Sequence, residues 1–119
     1  MPESSVLDEG ALARLRDWGG DKLLGQMIRL FLENAPTRMD QIRAGASDGV
    51  IEEAEKGAHS LKSSAANVGA LTLRGLAAEI ERSAGDGDLN RVNELLPSME
   101  AAFADAIAAL GAMERGLTG

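Results

Sequence analysis

Apolar residues recur along this chain at intervals of three and four, the spacing that lines one face of an α-helix. Asp8, a side chain suited to capping a helix N-terminus, precedes Leu12 and Leu15 in a short first segment. After Gly19 and Gly20, Asp21 opens a longer segment with Leu24, Ile28, Phe31, Ala35 and Ile42 on one face, and Pro36 is expected to kink it. A third segment starts near Asp48 and carries Val50, Ala54, Ala58, Leu61 and Ala65. It ends at Gly69, a residue free to take the left-handed conformation that closes a helix. The fourth presents Leu73, Leu76, Ala77, Ile80 and Ala84. In the fifth, Leu89, Val92, Leu96, Met99, Phe103, Ala106 and Leu110 keep a seven-residue repeat across Pro97, which either kinks the helix or begins a new segment. Glycine-rich breaks at 19–20, 45–49, 67–69 and 85–88 separate the segments, and no stretch alternates with period two for long enough to form a strand. The expected fold is all-α: an up-down-up-down four-helix bundle with short loops and a short N-terminal helix capping one end.

Composition narrows the function. A chain of 119 residues suits a single domain spanning 1–119, with its core over about 8–112. With no cysteine there is neither a disulfide nor a thiolate metal site, and no leading apolar run suggests a signal peptide or membrane span. A soluble cytoplasmic monomer is the expectation. A net charge of −7 and 3% aromatic residues disfavour nucleic acid, which selects basic stripes and stacking rings. The expected partner is a protein.

The stretch AHSLKSSAANVGA holds the one histidine, His59. At 100° per residue it lies opposite the apolar stripe, sharing its face with Glu52, Glu55, Lys56, Lys62, Ser63 and Ala66. His59 should therefore meet solvent. An incidental histidine on a solvated face would satisfy the periodicity equally well. However, exposed helical faces are usually filled with long charged side chains, and beyond His59 this one carries Ser60, Ser63, Ser64 and Ala66. The ring then stands above a shallow floor with room for a partner. Lys62, three residues on, comes within roughly 5–6 Å at the Cβ level, close enough to reach an anion on the imidazole. Its ammonium is expected to lack a charge partner until such an anion arrives. On the second segment, Leu23, Met27 and Leu30 form an extra apolar stripe. Either the capping helix covers it with Leu12, Leu15 and Trp18, or it is the rim of a docking surface, or both.

The segment AHSLKSSAANVGALTLRGLAAEIE, with MIRLFLENAPTRMDQI upstream, resembles the histidine phosphotransfer (HPt) domains of bacterial phosphorelays over roughly residues 8–112. The resemblance implies a helical bundle with an exposed phosphoacceptor, here His59, beside a phosphate-neighbouring lysine, Lys62, on a helix ended by Gly69. Ser63 stands where the family pattern has glycine, so a slightly raised floor is expected with function retained. Neutral imidazole offers the nucleophilic ring nitrogen that this chemistry needs. Phosphorylation is expected at Nε2, which leaves Nδ1 needing an acceptor. Glu81, about 80° off the apolar stripe of the fourth segment, is the candidate, as a glutamate or glutamine is in relatives.

The chain lacks a Gly-rich nucleotide loop and a carboxylate cluster beside His59, so it is not expected to be a kinase or to bind a cofactor. A lone histidine also lacks the paired Glu-x-x-His ligands of metal-binding bundles. The resemblance implies that the acidic pocket, Mg²⁺ and catalytic lysine belong to a response-regulator receiver domain, free or within a hybrid histidine kinase. This partner would dock over Ser63, Ala66, Lys56 and Glu55, and over Met27, Leu23 and Leu30. The reading is a freestanding phosphocarrier. The alternative is an unphosphorylated helical adaptor that binds or sequesters a regulator.

Overall fold

The computed structural model describes residues 6–118. Four α-helices follow one another: α1 (Glu9–Asp48), α2 (Ile51–Asn67), α3 (Leu71–Gly85) and α4 (Leu89–Thr118). Each packs on the next, and α4 returns to α1, so the four close a bundle. The connections span two or three residues, which forces neighbours to run antiparallel. Leu24, Ile28, Met39, Ile42, Leu61, Leu73, Ile80, Met99 and Leu110 fill the centre, and no described polar side chain is buried there.

The capping helix is the first part of α1. A straight helix of 40 residues would run about 60 Å, longer than the 42 Å long axis of the molecule. The chain therefore turns at Gly20, whose dihedrals (φ 70°, ψ −167°) leave the helical region, while the backbone through Pro36 remains helical. Asp8 caps this first part as expected, its carboxylate accepting from the Gly10 amide at 3.0 Å. The Asp8 amide donates to the Gly69 carbonyl at 2.6 Å, and Leu12 is buried, so the cap sits over the α2–α3 turn.

Several sequence expectations are corrected. Trp18 covers nothing: it is 82% exposed. Leu23 lies under the Gly19 backbone, where a Cβ on Gly19 would stand 2.6 Å from that of Leu23. Gly45 is not loop but the last buried glycine of α1, and a Cβ there would come within 2.6 Å of the Ala54 amide. Asp48 belongs to α1, so α2 starts at Ile51 and Val50 is exposed at the turn instead of sitting in the core. In α4, Leu95 takes the buried position and Leu96 is only partly covered, while the helix passes through Pro97 unbroken.

Among the described residues one helix, α4 over Leu89–Leu117, is long and apolar enough by composition to cross a membrane. Much of that apolar character is alanine, and Val92, Leu95, Met99, Ala106 and Leu110 are buried in the bundle.

Candidate functional site

The middle of α2 lies between α1 and α3, and small residues decide how closely. Gly57 faces α1 so tightly that a Cβ would stand 2.9 Å from both the Arg38 carbonyl and Ile42 Cγ1. With Ala54, Ala58, Leu61 and Ala65 buried, the opposite face of α2 is turned outward and His59 is 65% exposed. The helix ends at Val68 with paired capping bonds, Gly69 N–H to the Ala66 carbonyl and Ala70 N–H to the Ala65 carbonyl. Gly69 takes φ 72°, as expected of a left-handed terminator.

From α3, Glu81 reaches across to α2. Its Oε2 lies 2.7 Å from His59 Nδ1, and its Oε1 lies 2.6 Å from Lys62 Nζ. An ionised carboxylate can only accept, so Nδ1 carries the proton, and in the neutral ring Nε2, on the far side, keeps its lone pair. The Lys62 ammonium, foremost, and the His59 ring hold the Glu81 carboxyl below its ordinary 4.5, against a smaller opposing effect of burial. Glu81 is therefore ionised at neutral pH. The expectation that Lys62 has no charge partner is corrected: the packing of α2 on α3 sets Glu81 between residues 59 and 62, one turn apart on the same face.

A cleft of about 500 Å³ opens at His59, lined by Arg38, Gln41, Glu55, Lys56, Ser60 and Glu81. Glu55 and Lys56 were expected here, whereas Ser63 and Ala66 lie exposed further along α2, outside the cleft. Arg38 and Gln41 were not foreseen. They come from α1, which the close approach at Gly57 brings beside His59. The unexplained small residue on an otherwise charged stretch of α2 was the available signal. Further along the α1–α2 groove a second hollow is lined by Met27, Leu30, Phe31, Asn34, Ser64, Asn67 and Val68. Met27 is half-buried there and Leu30 is 51% exposed. Among the described residues no group of three or more His, Cys, Asp or Glu side chains is placed to hold a metal ion.

A family model described as the Hpt domain matches residues 26–113, nearly three quarters of the chain. The chain belongs to the Hpt domain family. Members are phosphocarriers rather than classical enzymes. Among solved structures, this Hpt domain is similar to histidine-containing phosphotransfer protein B (HptB) from Pseudomonas aeruginosa PAO1, with a TM-score of 0.85 and 28% sequence identity. The match covers 92% of this chain and 95% of that one, so the helical-bundle fold is shared over nearly the whole of both. A comparison with curated proteins finds no match.

Proposed function

We propose that this Hpt domain carries a phosphoryl group on His59 between receiver domains of a phosphorelay. The observation that carries the reading is the exposed ring with Nδ1 bound to Glu81, an arrangement that leaves Nε2 nucleophilic and accessible. In the transfer, the Nε2 lone pair attacks the phosphorus of a receiver phosphoaspartate and a P–N bond forms. The P–O bond to the aspartate breaks, and its electron pair stays on the carboxylate. Nδ1 keeps its proton, and Glu81 faces the resulting imidazolium. Such a transfer is mainly positioning and charge neutralisation. Lys62 neutralises charge from this chain, while Mg²⁺ and the remaining catalytic groups come from the receiver.

The partner docks on the face that presents His59, Glu55, Lys56, Ser63 and Ala66, extending along the groove to Met27 and Leu30. Residues 1–119 act as one cytoplasmic, monomeric domain whose donor is a free receiver or the receiver of a hybrid histidine kinase.

The test is incubation with a panel of receiver domains bearing radiolabelled phosphoaspartate. Label should pass to the wild-type chain and not to His59→Gln, and should be acid-labile and alkali-stable, as a phosphoramidate is. ATP and Mg²⁺ alone should give no label. Robust labelling from ATP, or equal labelling of His59→Gln, would overturn the reading.

A further inference from the structure

The carboxylate of Glu81 has two partners at once, and both belong to the proposed transfer: His59 Nδ1 at 2.7 Å and Lys62 Nζ at 2.6 Å. The ammonium that is to neutralise a phosphoryl group is therefore already neutralised before that group arrives. Resting on the carrier reading above, we propose that Glu81 is a competing holder of Lys62. It keeps the ammonium in the unphosphorylated state and gives it up to the phosphoryl oxygens once His59 is modified.

Charge matching supports the exchange. Before transfer, Glu81 is the carboxylate paired to Lys62 among the described residues, and the ring form that accepts phosphorus is the neutral one. After transfer to Nε2, the ring becomes a cation at Nδ1–H, so the Oε2 bond strengthens into a charge-assisted one. The phosphoryl group meanwhile brings about −1.5 to −2 charges and three acceptor oxygens to the same face. Glu81 then has a cation of its own in the imidazolium, and Lys62 has a stronger anion nearby. The geometry permits the move: the Lys62 side chain is 35% exposed, sits one turn beyond His59 on the same face of α2, and needs only a rotamer change to leave Glu81. Glu81, at 23% exposed and anchored on α3, is the fixed element of the three.

Competition and simple positioning make opposite predictions for the coupling between Glu81 and Lys62. If Glu81 merely aims Lys62 at the phosphate, removing its charge makes Lys62 less useful. If Glu81 competes for Lys62, removing its charge makes Lys62 more useful. The test is a double-mutant cycle on the equilibrium ratio of phosphohistidine to receiver phosphoaspartate, using the full chain as wild type, Lys62→Ala, Glu81→Gln and the double variant. Glutamine keeps an oxygen acceptor for Nδ1–H and removes the charge. The loss caused by Lys62→Ala should be roughly 2- to 10-fold greater in the Glu81→Gln background than in wild type. An equal or smaller loss overturns the proposal. So does a Glu81→Gln chain that takes no label, since the charge that Glu81 sets against the imidazolium would then outweigh any hold it has on Lys62. If the wild-type chain itself takes no label from any phosphorylated receiver, it is the carrier reading that fails.

Discussion

At the scale of single residues, one carboxylate organises the site. On the proposed reading Glu81 selects the His59 tautomer by accepting from Nδ1, a role that depends on hydrogen bonding and not on stability. Glu81→Ala is expected to shift the neutral ring from the Nδ1–H tautomer towards the Nε2–H form, which predominates in free imidazole side chains. Nitrogen NMR of the lone histidine reads this directly, and an unchanged tautomer ratio would remove the orienting role. The same substitution should slow phosphoryl acceptance, because Nε2 then carries the proton in more of the population. His59→Gln should leave helicity and melting temperature nearly unchanged, since a side chain 65% exposed contributes little to folding. Unfolding of that variant would mean that His59 is structural.

The imidazole and its lysine were legible because their one-turn spacing is a local property. The lysine's resting partner was not, since it depends on how α3 rotates against α2. Arg38 and Gln41 escaped for the same reason: both sit some twenty residues before His59, and nothing in their own neighbourhood shows which face of α1 meets α2.

At the scale of elements, glycine does two different jobs. Gly57 and Gly45 let α1 and α2 approach at backbone distance, which brings Arg38 into the His59 cleft. Gly57→Ala would place a Cβ 2.9 Å from a main-chain carbonyl that cannot step aside, so a loss of about 1–3 kcal/mol is expected from denaturant unfolding. Labelling should fall with it as the α1 wall of the cleft is displaced. A fully stable Gly57→Ala chain would show that the helices can separate without cost.

Gly69 instead supplies a backbone conformation, φ 72°, with Asp8 packed against the place where a Cβ would be. Gly69→Ala should therefore cost more than the roughly 1 kcal/mol typical of left-handed strain alone, because it also displaces the capping segment from the α2–α3 turn. Sequence pattern anticipated Gly69, where punctuation and helix end coincide. It misread Gly45, because a glycine that ends a helix and one that lets another helix approach look the same in one dimension.

At the scale of the whole molecule, ion pairs tie the last helix back to the first: Arg29 to Glu114 at 3.3 Å and, more closely, Arg43 to Glu100. Arg43 donates to both Glu100 oxygens, at 2.7 and 2.6 Å, and to Asp40 at 2.6 Å, and its guanidinium lies 6.0 Å from the Phe103 ring centre. The Arg43 bond holds the Glu100 carboxyl below its ordinary 4.5, as Lys62 and His59 hold that of Glu81. A carboxylate with a lowered folded pKa adds stability that is fully present above its unfolded value and is lost as pH falls through the folded one. Unfolding free energy should thus begin to drop near pH 4.5 and continue to fall below it. Glu100→Gln should flatten that decline without altering phosphoryl acceptance, because Glu100 is on the α1–α4 side of the bundle. Both partners are 39% exposed, so the pair is well solvated and its whole contribution is about 1 kcal/mol or less. An unchanged acid profile in Glu100→Gln would assign the decline to other carboxylates.

What this sequence determined by itself is what depends on neighbours along the chain: the helical period, the Asp8 and Gly69 ends, the four-helix count set by short connections, and the outward turn of His59 away from its own apolar stripe. These follow from a repeat of 3.6 residues and from backbone preferences acting over one or two turns. Only the tertiary structure decided what depends on rotation and separation between helices. It gave Glu81 a second partner in Lys62, brought Arg38 beside the ring, left Trp18 in solvent and put Leu95 ahead of Leu96 in the core. Such contacts are fixed by how closely small residues let two backbones approach, and that distance is a property of the pair of helices rather than of either one.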